Sequence, residues 1–458
     1  MIESTPNLLT PPIPSTITPR SPKPPKPSPP STPIIQVLKP SPLLTLLTLY
    51  DQPQHAHIST ILSSHLSMHD INNLRLACKF VNHTIRTTYW NFNRSLSSYV
   101  LNPVRFRNKL GVCDALISGR FAVQFFGRGS WVSSEDAVQP VKRNFTDVTK
   151  LDIFIESGIK ADTFVRHLEK KEGYEAFTEK KPCIPEAWLM GEDIEVMEIY
   201  AKAWPGPLPS TARRITKIHV FKTRTLPIIA ILTGPCHTAA VNFISSTRAY
   251  SLFPLSTFIH FKTYDLKVRD NIYCDLMTGD YAKQGWELYD ILHQEDKRFN
   301  HPIRRHRFVG DRYTWSIPLE LQGITAPSTP ESVLEMSEFK IGKDEYEQED
   351  EECYTIRTGP LEIFGLKYRY TSPYPLGCSF YKFIKAEMEV AEEEKWIWKM
   401  EVAKNSRAKA SVSQCSGDFY DDQLKRWFVE WLRSNWKECQ REPMLLEEVG
   451  GTRRMWRF

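Results

Sequence analysis

The sequence predicts an α+β protein, and three observations along the chain support this fold class. Apolar residues recur at helical spacing across residues 43–100, which predicts a module of three short helices. Residues 103–260 alternate between short apolar strands and apolar helices, a pattern typical of a core with a mixed sheet. Short strands and two helices are predicted after residue 352. We therefore expect a helical module, a mixed-sheet α/β core and a mixed C-terminal region.

Each element of this prediction comes from an apolar run and its spacing. Strands are predicted at 112–117, 151–155, 214–221, 354–356 and 361–368. Helices are predicted at 105–110, 121–126, 162–170, 226–232 and 241–244. The last helix is amphipathic, because its large apolar residues share one face; they are Leu424, Trp427, Phe428, Trp431 and Leu432. We expect this face to pack in a core, and nucleic-acid stacking by the tryptophans is the alternative.

Length and charge limit the classes of function. A chain of 458 residues has room for two or three domains, or for one large domain with tails. Its 59 Lys and Arg residues nearly balance 54 Asp and Glu residues, which leaves a net charge of +5. That excess is too small to indicate nucleic acid, so we expect no nucleic-acid partner.

Cysteine and hydropathy patterns bear on the compartment. The nine cysteines form no C-x-x-C pair, so neither a disulfide framework nor a zinc site is expected, and the thiols should be reduced. No run of about 18 apolar residues is present, and residues 1–30 lack an apolar segment. We therefore expect a cytoplasmic or nuclear protein with no membrane partner.

Two segments are read as breaks between the folded parts. Residues 1–42 contain 14 of the 33 prolines, which predicts a disordered tail of extended chain. This tail is interpreted as a linker, and a P-x-x-P ligand or a set of Ser-Pro and Thr-Pro phosphoacceptors is the alternative. Residues 327–352 end in an acidic run and predict a solvated linker. The remaining parts are then 43–100, 101–326 and 353–458.

A resemblance to a known family rests on the segment DALISGRFAVQFF at 114–126, followed by LDIFI at 151–155. These segments resemble a family of fungal proteins of nucleotidyltransferase-like type, which carries the pattern GSxALQFF followed by DLDIF. Further similar segments occur in the same order at 230–244, 249–254 and 281–286. The resemblance covers roughly residues 105–290 and implies a nucleotidyltransferase-like domain at 101–326.

The resemblance also implies a site, which this sequence matches in part. In such enzymes a Gly-Ser pair at a helix start binds the triphosphate, while aspartates on neighbouring strands hold Mg²⁺. Gly119 matches the glycine, but Arg120 replaces the serine and Lys150 replaces the first aspartate. Asp152 matches the second aspartate, and the strand at 217–221 offers no carboxylate.

We therefore expect no catalytic residue beyond the single candidate Asp152, with Gly119 and Arg120 as candidates for phosphate binding. No metal site and no cofactor are expected, and Mg²⁺ would be needed only if the domain were an active nucleotidyltransferase. Substitute ligands for such an enzyme would come from Glu135, Asp136 or Asp147.

A second resemblance lies in the helical module. The segment from Ile58 to Lys79 includes Asp70-Ile71, Leu74-Arg75-Leu76 and Cys78-Lys79, and it is similar to an F-box. F-boxes dock on the Skp-type adaptor of a cullin ubiquitin ligase through exposed apolar side chains. The residues that would do so here are Ile61, Leu62, Leu66, Ile71 and Leu74. The alternative is a helical cap in which the same residues pack internally.

The two resemblances lead to two hypotheses. The first is a non-catalytic interaction protein, an F-box-type adaptor that recruits an unknown target protein and is built on a pseudo-nucleotidyltransferase domain. The second is a Mg²⁺-dependent nucleotidyltransferase or a nucleotide-binding pseudoenzyme. The surroundings of Asp152 and Gly119 discriminate between them, because a metal-dependent enzyme needs a further carboxylate within about 4 Å of the same metal.

Overall fold

The computed structural model describes a part of the chain that belongs entirely to the unit Leu46–Phe458. The described residues are 66, 70–71, 73–74, 79, 81–82, 90–127, 148–177, 193–204, 214–266, 272–289, 303, 306–343, 354–361, 366–373, 382–391, 393 and 420–434. The predicted proline-rich tail at 1–42 lies outside these residues.

The helices and strands follow one another along this part of the chain. The α-helices are α1 Phe92–Leu96, α2 Pro103–Val112, α3 Gly119–Gly127, α4 Ile159–His167, α5 Pro227–Thr233, α6 Ile272–Lys283, α7 Glu331–Glu335 and α8 Asp421–Ser434. The first strands are β1 Leu116–Ser118, β2 Val148–Glu156, β3 Glu175–Ala176, β4 Ile194–Trp204, β5 Arg214–Thr223, β6 Asn242–Ile244, β7 Arg248–Ser251 and β8 Lys262–Tyr264. The later strands are β9 Glu287–Tyr289, β10 His306–Phe308, β11 Trp315–Pro318, β12 Glu338–Lys343, β13 Tyr354–Arg357, β14 Gly359–Leu361 and β15 Tyr370–Ser372.

One mixed sheet organises the protein and confirms the α+β prediction. Its eight strands lie in the order β11-β7-β6-β1-β2-β5-β4-β3. Strands β2 and β5 pair in parallel, whereas the other neighbours in this sheet are antiparallel. Smaller sheets are formed by β10-β12-β13, by β14-β15 and by β8-β9.

The central strand β2 is buried on one face because its side chains alternate in character. Leu151, Ile153 and Ile155 are fully buried on the same face, as the two-residue period of a strand requires. The other face carries Lys150, Asp152 and Phe154, of which Phe154 stacks on Phe221 of β5 at 4.9 Å between ring centroids. Lys150 and Asp152 form the polar half of this second face, so a functional site on β2 would lie there.

Several predicted elements are confirmed, and the errors lie in short apolar runs. The strand predicted at 112–117 is wrong in its first half, because α2 extends to Val112 and β1 begins at Leu116. The helix predicted at 241–244 is wrong, since Asn242–Ile244 is strand β6. The strand predicted at 361–368 is confirmed at Leu361, where β14 ends, and is wrong at 366–368, which precede β15; residues 362–365 lie outside the described residues. Runs of four to eight apolar residues fit a buried strand or a buried helix equally well.

The prediction of a solvated linker at 327–352 is wrong for its first half. Residues 331–335 form α7, and residues 338–343 form β12, which pairs with β10 and β13. Phe339 is fully buried and Ile341 is 5% exposed, and both belong to the main apolar cluster. The acidic run at 344–352 lies outside the described residues.

The C-terminal helix α8 packs in a core, as its amphipathic pattern predicts. Leu424, Trp427 and Trp431 are buried together with Tyr420, Tyr370 and other residues of a second apolar cluster. Within the described residues, no helix has the length and the apolar character needed to span a membrane.

Two of the described cysteines, Cys113 and Cys236, differ in redox state. Cys113 is a free, buried thiol, and burial raises its pKa. Cys236 is disulfide-bonded, so the expectation that the thiols are reduced is wrong for this residue.

Candidate functional site

The candidate site lies where β1 turns directly into α3. Gly119 occupies this turn with a φ of 70°, in the left-handed region that favours glycine. A Cβ atom at this position would overlap Oδ2 of Asp152. Backbone conformation and close packing therefore both require glycine here, and they place the Asp152 carboxylate directly against the start of α3.

Asp152 is paired with a histidine from the neighbouring strand. The parallel register of β2 and β5 places Asp152 beside His219, and Asp152 Oδ1 lies 3.1 Å from His219 Nδ1. The His219 residue is 5% exposed, whereas 19% of the Asp152 side chain is exposed. The strand on which the family resemblance calls for a third carboxylate therefore supplies an imidazole that binds Asp152.

Two lysines lie next to this pair on the same face. Lys150 precedes Asp152 by two residues on β2, and its register partner on β5 is Lys217. Both lysines are partly buried, and the Lys217 ammonium lies 4.7 Å from the ring centroid of Phe177. The parallel pairing thus puts one cationic pair beside the Asp152–His219 pair.

Arg120 is held by a carboxylate that sequence reasoning missed. An Arg120 guanidinium nitrogen lies 3.6 Å from Asp280 Oδ2, and the Asp280 side chain is 5% exposed while that of Arg120 is 25% exposed. Asp280 comes from α6, which is 160 residues further along the chain. It precedes Tyr281 in the segment 281–286 noted for its resemblance, but no pattern in the sequence linked it to Arg120.

A second His–Asp pair anchors α6 near this point. His237 Nδ1 lies 2.9 Å from Asp265 Oδ1, and His237 Nε2 lies 3.0 Å from the hydroxyl oxygen of Thr278 in α6. His237 is 3% exposed, and Tyr281 packs edge-on against its ring. Nε2 of this buried imidazole therefore has a hydrogen-bond partner on α6, and Nδ1 lies beside a carboxylate, which indicates a structural role in positioning α6.

The described residues at Asp152 do not form a set of ligands that suits Mg²⁺. This ion prefers several oxygen ligands, whereas Asp152 has an imidazole as its partner and lysines on the same face. Among the residues that the structure describes, no group of three His, Cys, Asp or Glu side chains is placed to hold a metal ion. The substitute ligands Glu135, Asp136 and Asp147 lie outside the described residues.

The residues predicted to bind an adaptor are described in part. Ile71 is fully buried, while Leu66 and Leu74 are partly buried. Ile61 and Leu62 lie outside the described residues. The Ile71 side chain therefore packs inside the protein, whereas Leu66 and Leu74 retain some exposed surface.

An open pocket of about 50 Å³ lies between α2, α5 and α7, and neither Gly119 nor Asp152 lines it. Two carboxylates that line it already have partners. The Glu331 carboxylate accepts hydrogen bonds from the hydroxyls of Ser245, Thr247 and Tyr250. Asp114 accepts hydrogen bonds from Lys160 and from the backbone N–H of Thr329.

A scan of protein-family models finds no match for this chain, and a search of curated proteins also finds none.

Proposed function

We propose that this protein is a non-catalytic interaction protein, an F-box-type adaptor of a cullin ubiquitin ligase that works in the cytoplasm or nucleus. In this proposal residues 101–326 form a nucleotidyltransferase-like domain that does not catalyse metal-dependent transfer. The observation that carries the proposal is the pairing of Asp152 with His219. An imidazole stands on the strand where the transfer reaction would need a third carboxylate.

Three features of the site support the nucleotidyltransferase-like interpretation. Strand β1, the glycine turn and helix α3 follow in the order that the resemblance implies, and β2 with Asp152 lies beside β1. Lys150 then places a positive charge where the first aspartate would stand, which disfavours a divalent cation by electrostatic repulsion. The interpretation therefore accounts for both the framework and the loss of its chemistry.

The proposed adaptor contact is supported by the unequal burial of the helical module. Ile71 stabilises the module from inside, whereas Leu66 and Leu74 keep part of their apolar surface exposed. Partly exposed leucines suit a contact with another protein, because their burial there releases water from apolar surface.

Co-purification tests this proposal. The full-length protein should retain a Skp-type adaptor, and Leu66→Asp or Leu74→Asp should abolish retention, because each places a charge in the apolar contact. Leu321→Asp is the matched control, since Leu321 is 58% exposed and lies far along the chain from the module. The proposal is wrong if the unaltered protein fails to retain the adaptor, or if both leucine variants retain it fully.

A nucleotide-binding role is the second candidate, and the Gly119 turn favours it. The N–H groups at the start of the nine-residue helix α3 attract anions, and Arg120 is the first side chain of that helix. Calorimetric titration with magnesium ATP should show binding that Arg120→Ala weakens about tenfold or more. The exposed Arg312 provides a matched control, whose change to alanine should leave affinity unaltered.

Enzymatic nucleotidyl transfer is the remaining alternative and has its own test. The protein is incubated with a nucleoside triphosphate labelled at the α-phosphorus. An enzyme would transfer this label to an acceptor molecule in a magnesium-dependent reaction, and Asp152→Ala would abolish the transfer. We expect no such transfer, because Asp152 is bound to His219 and lies beside Lys150 on the same strand face.

A further inference from the structure

The open pocket between α2, α5 and α7 has a largely apolar wall. Leu110 of α2, Leu116 of β1, Ile228 of α5 and Val333 of α7 line it, and each is at most 6% exposed. Leu116 and Ile228 also belong to the main apolar cluster, so this wall is part of the packed core. A volume of about 50 Å³ holds three to five atoms of water size, because each needs about 10–15 Å³. The pocket therefore has room for a short aliphatic group.

Ser246 brings an unused hydroxyl to this pocket. The residue lines the pocket and is 2% exposed, and within the described part of the chain its hydroxyl has no hydrogen-bond partner. Its backbone carbonyl, in contrast, accepts two hydrogen bonds from the Arg107 guanidinium, at 3.0 and 2.8 Å. A buried hydroxyl without a partner is unfavourable, so a ligand that forms a hydrogen bond with it gains affinity.

Gly111 keeps space open beside the Ser246 hydroxyl. It follows Arg107 by four residues, so both lie on the same face of α2. A Cβ atom at position 111 would lie 2.9 Å from Ser246 Oγ and 3.3 Å from the Cα atom of Pro327. Any side chain at this position would therefore press against the hydroxyl and fill the space next to it.

The charges around the pocket favour a neutral ligand. Two carboxylates, those of Asp114 and Glu331, line the pocket and would repel an anion. The Arg369 guanidinium, which also lines the pocket, is paired with Glu156. An ammonium group would have to leave water for a largely apolar wall, which is costly.

We propose that this pocket is a binding site for a short, neutral aliphatic alcohol or amide. The alkyl group of the ligand packs against the apolar wall. Its hydroxyl or amide group forms a hydrogen bond with Ser246 Oγ, which can both donate and accept. Internal hydrogen bonds already hold Asp114, Glu331 and the Ser246 carbonyl in place, so little order is lost or gained when the ligand binds.

This inference goes beyond the proposed adaptor function and does not depend on it. The pocket shares no residue with Leu66 and Leu74 or with the turn at Gly119 and Asp152. Failure of adaptor binding would therefore leave ligand binding in the pocket unchanged, and the reverse also holds.

Saturation-transfer NMR of the full-length protein tests the proposal. Isobutanol and isobutyramide should receive magnetisation from the protein, with dissociation constants on the order of 1 mM. Isobutyrate has the same carbon skeleton and a negative charge, so it should bind about tenfold more weakly or worse. The proposal is overturned if neither neutral ligand receives magnetisation, or if isobutyrate binds as well as isobutanol.

Substitutions in the pocket locate the binding. Val333→Trp should fill the pocket and abolish the signal of isobutanol. Ser246→Ala removes the hydrogen bond and should weaken isobutanol binding about fivefold. Gly111→Ala should also weaken it, because the added methyl group displaces the Ser246 hydroxyl. Circular dichroism establishes that each variant is folded, and the two smaller substitutions decide the question if Val333→Trp does not fold.

Ser251 provides a matched control. It is fully buried, its hydroxyl likewise has no hydrogen-bond partner among the described residues, and it does not line the pocket. Ser251→Ala should therefore bind isobutanol like the unaltered protein. Equal affinities of Ser246→Ala and Ser251→Ala, or an undiminished signal in a folded Val333→Trp variant, would overturn the assignment.

Discussion

At the scale of single residues, Gly119 is the most constrained position of the candidate site. Its φ of 70° and the carboxylate of Asp152 leave no room for a side chain. Gly119→Ala should lower the free energy of unfolding by about 2–4 kcal/mol, from left-handed strain together with overpacking. Urea denaturation followed by circular dichroism measures this difference.

A second substitution separates the two causes of that loss. Adding Asp152→Ala to Gly119→Ala removes the steric conflict and should leave only the backbone strain, of about 1–2 kcal/mol. Gly279 is the control: it lies in α6, has open space around its Cα, and should accept alanine with no loss of stability. Equal losses at Gly119 and Gly279 would contradict this account of the turn.

Glu338 is a buried carboxyl that should make stability depend on pH. Burial raises its pKa to about 8, although the hydroxyl of Ser372 donates a hydrogen bond to it at 2.8 Å and acts in the opposite direction. His306 Nε2 on the adjacent strand β10 lies 3.7 Å from the same carboxyl oxygen. The folded state therefore binds the proton more tightly than the unfolded state, whose carboxyl pKa is about 4.5.

The sign of the effect follows from this difference in proton binding. The contribution of Glu338 to stability is fully present below about pH 4.5 and is lost as pH rises towards about 8. Glu338→Gln cannot ionise, so its stability relative to the unaltered protein should improve steadily between pH 5 and pH 8. Urea denaturation midpoints at several pH values measure this trend, and two parallel curves would contradict it.

At the scale of elements, the amphipathic helix α8 shows how a pattern is resolved by packing. Trp427 is 1% exposed and its ring centroid lies 5.6 Å from that of Tyr420, so the aromatic face is a core face. The same pattern of tryptophans near basic residues would also suit nucleic-acid stacking. Only the partners from α7, β14 and β15, such as Val333, Leu361 and Tyr370, decide between these interpretations.

Removal of the Trp427 side chain should therefore destabilise the protein. Trp427→Ala is expected to cost about 3–5 kcal/mol, because it deletes a large buried ring and leaves a cavity. Arg426 is the matched neighbour: its side chain is 66% exposed, and its ion pair with Glu430 is 3.8 Å long, so Arg426→Ala should cost less than about 1 kcal/mol. Thermal unfolding compares the two variants, and a similar loss in both would contradict the core assignment.

The elements that sequence predicts well are those with a long, clear period. Strand β5 is identified by the alternation of Ile218 and Val220 with more polar neighbours, and α3 by its dense apolar run. The sequence predicts a helix where β6 forms, because three residues are too few to distinguish the two-residue period of a strand from the 3.6-residue period of a helix. Its pairing with β1 and β7 is what makes Asn242–Ile244 a strand.

At the scale of the whole molecule, the core crosses the boundary at residue 326 that the sequence predicts. The main apolar cluster extends from Leu116 to Ile356, and it includes Phe339, Ile341 and Ile356 from β12 and β13. The acidic run misled the prediction because charged residues nearby lower the apparent hydrophobicity of a strand whose inward side chains are nevertheless apolar.

A fragment that ends at residue 326 should consequently fail to fold. It would lack Phe339, Ile341 and Ile356 and would expose the apolar surface of α5 that these residues contact in the cluster. Circular dichroism and size-exclusion chromatography of fragment 1–326 should show aggregation or loss of cooperative unfolding, in contrast to the full-length protein. A monomeric fragment with a cooperative transition would contradict this view of the core.

The sequence by itself determined the α+β class, the strand with Asp152, the glycine turn and the helix after it, because these depend on local period and on backbone conformation. Only the tertiary structure decided that His219 binds Asp152 and that Asp280 holds Arg120. Strand register and long-range helix packing bring these groups together, and no local pattern encodes a contact between residues that are 67 or 160 positions apart.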